Sequence, residues 1–209
     1  MVRAAKSTDP LSLALASGAM ARVVRYFAVN PEARPHVRAL QRATGLGPRS
    51  MQREIDRLSR LELLVREDDG PLVRWRMDES NPAWDHFRQL VRRLSDPADV
   101  LPYALTGLPR IDAAFIFGSH ARDRARPDSD VDLFVLHRGV PEGDLLRQTL
   151  EAGVLMDREV NVVTATHEEL QRRLNEQNRF FLDVIAGPKQ WVAGSSKALA
   201  DLTDLGEDE

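Results

Sequence analysis

Residues 111–136 read IDAAFIFGSHARDRARPDSDVDLFVL, and this stretch decides the fold of the second half of the chain. The apolar run at 113–117 predicts a buried strand, and Gly118-Ser119 predicts a sharp turn. Ser119 is expected to cap a short helix from 119 to 124. After a second turn, residues 130–136 predict another strand, which should lie beside the first.

The second strand begins with two carboxylates, Asp130 and Asp132. Because side chains alternate along a strand, both should lie on one face, with Val131 and Leu133 turned into the core. Two negative charges held this close favour a shared divalent cation, for which Mg²⁺ is the expected ion. The glycine–serine turn offers backbone N–H groups that suit a phosphate.

The order "Gly-Ser, about ten residues, Asp-x-Asp-Leu" resembles the signature of the DNA polymerase β-like nucleotidyltransferases, and the Asp130 stretch is similar to their minimal bacterial and archaeal members. The resemblance implies that Gly118 and Ser119 contact the triphosphate of ATP or another nucleoside triphosphate. It also implies that Asp130 and Asp132 are catalytic and bind two magnesium ions. Three arginines follow the turn and are candidates for triphosphate contacts, although a solvated helix face explains them equally well: Arg122, Arg124 and Arg126.

The resemblance also implies a third metal-binding carboxylate on a later strand, and here the sequence departs from the family. A strand is expected at 158–163, after a helix at 144–152, and Asn161 aligns with the third acid. An amide oxygen can bind Mg²⁺ but cannot accept a proton. Either Glu159, on the same strand face, supplies the missing charge, or the site binds nucleotide and transfers it slowly or not at all.

Four other residues near this segment have structural interpretations. His120 has no partner acid at a readable spacing and is predicted to be structural. Phe180, Phe181 and Trp191 are expected in the core, although an aromatic ring could also stack on a base.

The first half predicts helices at 11–29 and 37–43, a glycine turn at Gly45, and a third helix opening at Pro48. Strands at 63–67 and 72–77 should form a hairpin. This order resembles the winged-helix DNA-binding domains of ArsR- and MarR-type repressors over roughly residues 11–80.

Polar residues on the presumed recognition helix could read DNA. The DNA-binding candidates are Arg49, Gln52, Arg53 and Arg57 on that helix, with Arg74 and Arg76 on the wing strand. Residues 1–95 carry 17 Lys and Arg against 11 Asp and Glu, whereas residues 96–209 carry 12 against 21. The basic half suits a polyanion. A protein-interaction module with solvated arginines is the alternative.

We therefore expect an α+β protein: a winged helix at 1–80, a helical connector at 81–100, and a nucleotidyltransferase domain with a mixed sheet at 101–205. The sequence has no cysteine, and neither a signal peptide nor a membrane span is apparent. These features predict a cytoplasmic protein without a membrane partner. By analogy with winged helices, a homodimer is expected.

Three functions fit the sequence. The first is magnesium-dependent transfer of AMP from ATP to a protein or small-molecule hydroxyl. The second is transcription regulation, in which the same pocket senses nucleotide with little or no catalysis and the winged helix binds DNA. The third follows from a resemblance to antitoxins that modify a tyrosine on helical RNase toxins.

Overall fold

The computed structural model describes residues 9–121, 129–197 and 199. The chain divides into two compact units, the first ending at Asp96 and the second beginning at Pro97. The predicted bounds of 1–80, 81–100 and 101–205 stay predictions. Among the described residues, no helix has both the length and the apolar character needed to cross a membrane.

From residue 9 onward, the first unit contains five helices and one hairpin. Its elements are α1 (Pro10–Ala14), α2 (Gly18–Val29), α3 (Val37–Thr44), α4 (Pro48–Arg60), β1 (Leu64–Asp69), β2 (Leu72–Met77) and α5 (Ala83–Leu94).

The single helix predicted at 11–29 is wrong, because the chain breaks between α1 and α2. Ala16 adopts a left-handed conformation with a φ of 50°. Ser17 then caps α2, since its hydroxyl accepts a hydrogen bond from the Met20 N–H at 3.1 Å. The sequence around the break has a serine but no proline, so the apolar spacing alone suggests one continuous helix.

The glycine turn and the hairpin agree with the sequence predictions. Gly45 ends α3 in the left-handed region with a φ of 66°, and Pro48 opens α4. Strands β1 and β2 pair antiparallel from Leu64↔Met77 to Asp69↔Leu72. A further isolated antiparallel bridge joins His36 to Arg74. The assignment of this order as a winged helix stays a prediction.

Helix α5 packs into the first unit through a buried aromatic residue. Trp84 is 2% exposed, lies 6.2 Å from the Phe27 ring, and donates its indole N–H to the Leu63 carbonyl at 2.8 Å. Because the indole N–H has a partner, the ring is buried without leaving an unsatisfied donor. The residues between Asn81 and Ser95 therefore contribute to this core.

The second unit alternates helices with the strands of one sheet. Its elements are α6 (Pro97–Leu105), β3 (Ile111–Phe117), α7 (Gly118–Ala121), β4 (Val131–His137), α8 (Glu142–Met156), β5 (Val160–Ala165), α9 (His167–Asn175), α10 (Arg179–Ala186) and β6 (Gln190–Ala193).

The four strands form the mixed sheet that was expected, and their order is β5-β4-β3-β6. The pairs β3–β4 and β3–β6 are antiparallel, whereas β4–β5 is parallel. The strand predicted at 158–163 is corrected to β5, two residues later. Asp157 ends α8 in the left-handed region and the Arg158 N–H returns to the Gly153 carbonyl, so Arg158 belongs to the helix terminus.

Helices cover both faces of this sheet. On one face, Phe115 and Phe134 stack at 5.0 Å and pack with Leu170 of α9 and Val184 of α10. On the other face, Val131 and Leu133 are fully buried, as predicted. Val160 pairs with Val131 in register and contacts α8 at Gly153, so α8 covers this second face.

A buried ion pair ties α1 to α2 in the first unit. The Arg25 side chain is 5% exposed and contacts Asp9 at 2.5 Å, and its Nε donates to Ser95 Oγ at 2.8 Å. Burial raises the pKa of Asp9, but hydrogen bonds from Arg25 and Ser12 outweigh it and hold this pKa below 3.8. The pair therefore stabilises the fold above that pH and is lost as the pH falls through the lowered pKa.

We expect Asp9→Asn to lower the free energy of unfolding by about 2 kcal/mol near neutral pH, because it leaves a buried guanidinium without its charged partner. Chemical denaturation near pH 7 and near pH 3 measures the change. The difference from the unsubstituted protein should shrink at the acidic pH. Asp68→Asn is the control, because its pair with Arg66 is exposed and contributes less than about 1 kcal/mol. A loss that is the same at both pH values would contradict this assignment.

Candidate functional site

The two predicted carboxylates lie where β4 begins. Asp132 is the second residue of β4 and pairs with Phe117 on β3 and with Asn161 on β5. Asp130 precedes the strand by one residue and is exposed. Residues aligned across neighbouring strands share a face, so Phe117, Asp132 and Asn161 form a row across three strands.

The backbone of Gly118 lies directly against the Asp132 carboxylate. Gly118 has a φ of 73°, and a Cβ atom built on it would overlap Asp132 Oδ2. Only glycine fits both the left-handed conformation and the close approach. The turn and the carboxylate therefore share one edge of the sheet, where backbone N–H groups can face a ligand held by Asp132.

Ser119 lies on the short helix after this turn. Ser119 is the second residue of α7, so the prediction that it caps the helix from outside is wrong. The chain turns at Gly118, where φ is positive, and the helix begins at this residue, one position earlier than expected. Arg122 lies outside the described residues, as do Arg124 and Arg126.

His120 connects α7 to the segment that carries Asp130. Its Nε2 lies 3.2 Å from the Ser129 carbonyl and 3.4 Å from Arg158 Nη1. One ring nitrogen cannot donate to a carbonyl and accept from an arginine at once, and the shorter contact assigns Nε2–H to Ser129. Gln190 Nε2 donates to the His120 carbonyl at 3.2 Å. These contacts agree with the prediction that His120 is structural.

Arg158 is a cation at this edge that the sequence analysis missed. It lies at the terminus of α8 and reaches His120, which is 38 residues away in sequence. Its only sequence signal is its position next to Glu159. Because the contact depends on the parallel pairing of β4 with β5, local patterns cannot reveal it.

Asn161 and Glu159 both border the carboxylate pair. Asn161 is exposed and aligns with Asp132. Glu159 is exposed and lies one position before β5, where its carbonyl accepts a hydrogen bond from the Val131 N–H at 2.8 Å. Asn161 is therefore the register partner of Asp132, and Glu159 is hydrogen-bonded to the residue between the two aspartates.

These residues fit a hard divalent cation that shares its shell with a phosphate. Among residues 9–121, 129–197 and 199, no group of three or more His, Cys, Asp or Glu could hold a metal ion. Mg²⁺ uses one or two carboxylates, water and substrate phosphate oxygens, so it does not need such a cage. Asp130, Asp132 and the Asn161 amide supply oxygen donors of this kind.

A small cavity of about 200 Å³ adjoins Gly118. It is lined by Phe117, Gly118, Phe180, Asp183, Val184, Gly187 and Pro188. The prediction that Phe180 belongs to the core is wrong, because its side chain is 48% exposed and contacts Phe117 edge-on at 6.1 Å. Phe181 and Trp191 do pack against the core cluster, as expected.

The DNA-binding candidates of α4 lie on its exposed face. Arg49, Gln52, Arg53 and Arg57 are exposed, opposite a row of buried apolar residues that includes Met51, Ile55 and Leu58. Gln52 donates to Asp56 at 2.8 Å and Arg53 contacts Glu54 at 3.0 Å. Arg49 and Arg57 form no hydrogen bond or ion pair through their side chains with any residue that the structure describes.

The two arginines of β2 are paired with acids of β1. Arg74 Nε contacts Asp69 Oδ2 at 2.6 Å, and Arg76 Nε contacts Glu67 Oε1 at 2.6 Å. The two acids offset the positive charge of the arginines, which would otherwise attract a phosphate. The hairpin therefore presents less net charge than its arginines suggest.

Residues 103–182 match the protein family described as polymerase beta, nucleotidyltransferase. The matched segment contains Gly118, Asp130, Asp132 and Asn161, and it is a polymerase β-like nucleotidyltransferase domain. No curated protein matches the sequence.

Two solved structures are similar to this chain at low scores. One is a toxin–antitoxin with AMP-PNP, which has 13% identity, covers 53% of this chain and 86% of its own, and has a TM-score of 0.38. The other is a mutant of the toxin–antitoxin MntA-HpeT, with 12% identity, the same coverage and a TM-score of 0.37. These likenesses are too remote to assign a function.

We expect Gly118→Ala to lower the free energy of unfolding by about 2 kcal/mol, because a side chain costs energy in the left-handed region and displaces the Asp132 carboxylate. Gly143→Ala is the matched control, since Gly143 lies in α8 with no atom within 4 Å of an added Cβ. It should be neutral or slightly stabilising. Thermal unfolding of both variants measures the difference, and equal melting temperatures would contradict the close approach.

Proposed function

We propose that the second unit transfers a nucleotide, AMP from ATP in the form expected from the sequence, to a hydroxyl group of a protein or small molecule. The proposal rests on one observation: within the family-matched segment, the Gly118 backbone lies against the Asp132 carboxylate. Transfer needs both groups at one place, because the phosphates must be held while the negative charge on the oxygens of the transferred group is stabilised.

Asp130, Asp132 and Asn161 are proposed to hold Mg²⁺. When bound, Mg²⁺ neutralises phosphate charge and polarises the transferred phosphoryl group. Gly118 and Ser119 are proposed to hold the triphosphate through their N–H and hydroxyl groups, together with Arg122. The acceptor oxygen forms a bond to the α-phosphorus, the bond to the bridging oxygen breaks, and pyrophosphate leaves.

The proton of the acceptor hydroxyl also needs a base. Asn161 cannot accept it, because an amide has no free basic site near neutral pH. We propose Glu159 for this role, since it is exposed and directly precedes the strand that flanks Asp132. A site without such a base would bind nucleotide and release it unchanged.

We expect Asp132→Asn to reduce label transfer by at least about a hundredfold, because one charge that binds the metal is removed. Incubation of the full chain with α-labelled ATP, Mg²⁺ and candidate acceptors measures the transfer. Asp144→Asn, which removes an exposed carboxylate of α8, is the control and should leave transfer unchanged.

Undiminished transfer by the Asp132→Asn variant would rule out this mechanism.

Two further variants distinguish the roles at the third position. Glu159→Gln should slow transfer and flatten its dependence on pH, and Asn161→Asp should raise the rate. If both leave the rate unchanged, the base lies elsewhere.

We further propose that the first unit is a winged helix that binds DNA, so that nucleotide at the second unit could regulate transcription. Support comes from α4, whose exposed face carries Arg49 and Arg57, and neither forms an ion pair with a described residue. Helices α2 to α4 followed by a hairpin fit the winged-helix order. In this proposal, α4 enters the major groove.

The wing contributes less than α4 in this proposal. Arg74 and Arg76 would have to leave Asp69 and Glu67 before they could contact phosphates. Exchanging one ionic partner for another gains little free energy near the surface. Arg49 and Arg57 have no ionic partner to leave among the residues that the structure describes.

We expect Arg49→Ala to weaken binding of a mixed-sequence DNA duplex and to lower the salt slope of the binding constant by about 1, because one phosphate contact is lost. Arg74→Ala should change both quantities less. Fluorescence anisotropy at several salt concentrations measures them. Absent or salt-insensitive binding by the unsubstituted chain would refute the DNA proposal.

A further inference from the structure

The cavity beside Gly118 is built from one face of α10 and the end of β3. Phe180, Asp183, Val184 and Gly187 recur at spacings of three and four, so they lie on one side of this helix and its terminus. The volume of about 200 Å³ is below that of pockets for drug-sized molecules. It suits one ring system of a larger ligand whose remainder lies at Gly118.

An unusually exposed aromatic ring forms one wall. Phe180 is 48% exposed on a helix whose neighbouring residues Phe181 and Val184 pack into the core. Phe117 contacts it edge-on and is the register partner of Asp132. A flat ring stacked on Phe180 would cover apolar surface that the described part of the chain leaves open.

The same helix face carries the Asp183 carboxylate. Asp183 is exposed, and its carboxylate makes no hydrogen bond or ion pair with any described residue. Lys189 forms no ion pair with it, and Lys189 Nζ instead donates to the Ile185 and Gly187 carbonyls at 2.5 and 2.8 Å. An ionised carboxylate only accepts hydrogen bonds, so it selects a ligand edge that carries N–H groups.

We propose that this cavity binds the base of the nucleotide, with Phe180 stacking on the ring and Asp183 accepting a hydrogen bond from an amino-bearing purine. The inference rests on the transferase proposal, which brings a triphosphate to Gly118. Adenine and guanine both offer an exocyclic amino group. Uracil carries carbonyls on both sides of its single N–H, and these oxygens face repulsion from the carboxylate. Purines also stack over a larger area than pyrimidines.

Calorimetric titration of the full chain tests the assignment. The probes are the α,β-methylene analogues of ATP, GTP, CTP and UTP with Mg²⁺, because they bind without transfer. We expect the preferred purine to bind at least about tenfold more tightly than the UTP analogue. If guanine is the base, an inosine analogue, which lacks the amino group, should bind more weakly than the GTP analogue, whereas an adenine site should prefer the ATP analogue to both.

Two substitutions connect this preference to the cavity. Phe180→Ala should weaken binding of all bases by about five- to a hundredfold, and Phe180→Trp should preserve it. Asp183→Asn should reduce purine affinity and relax discrimination against the UTP analogue, because an amide can also donate. Asp144→Asn, on α8, is the matched control and should change neither quantity.

Each outcome separates the two proposals. Equal affinities for all four analogues, unaltered by Phe180→Ala and Asp183→Asn, would overturn the base site, while transfer that depends on Asp132 would leave the transferase proposal standing. Base discrimination that depends on Asp183 without any transfer would support the cavity and contradict the transferase. Absence of binding by every analogue would overturn both.

Discussion

The contact between the Gly118 backbone and the Asp132 carboxylate is the constraint on which the second unit depends. The antiparallel register pairs Phe117 with Asp132, so the chain must turn away from β3 directly beside a charged group. A left-handed glycine makes that turn without placing a side chain on the carboxylate. His120 then holds the segment before Asp130 through the Ser129 carbonyl. These contacts hold together the turn at Gly118, the Asp132 carboxylate and the chain directly before Asp130.

Strand alternation made much of this arrangement predictable from the sequence. The parity of Asp132 against Val131 and Leu133 places them on opposite faces of β4. Val131 and Leu133 are fully buried, whereas Asp132 is partly exposed at the start of a face that Phe134 continues into the core. The mixed sheet follows from the order of strands and helices along the chain. The family resemblance aligns Asn161 with the third acid, which predicts a position beside Asp132. The parallel register of β4 and β5 agrees with this position.

Features set by contacts between distant residues could not be predicted in this way. Apolar spacing places Phe180 on α10 but cannot say that its face of the helix remains open. The approach of Arg158 to His120 requires the pairing of β4 with β5. Local propensity contains no information about any of these pairings.

Charge shows most clearly why composition must be combined with contacts. Residues 1–95 have an excess of cations, yet acids on β1 offset Arg74 and Arg76, and Asp9 offsets Arg25. Arg49 and Arg57 of α4 are among the exposed arginines that make no ion pair with any residue the structure describes. In the second unit the excess charge is negative, and many of its acids lie on helix faces exposed to solvent. An acid of the second unit gains a specific role when it lies beside a cavity or a turn and no neighbouring cation pairs with it. A ligand can then supply the missing partner for its negative charge.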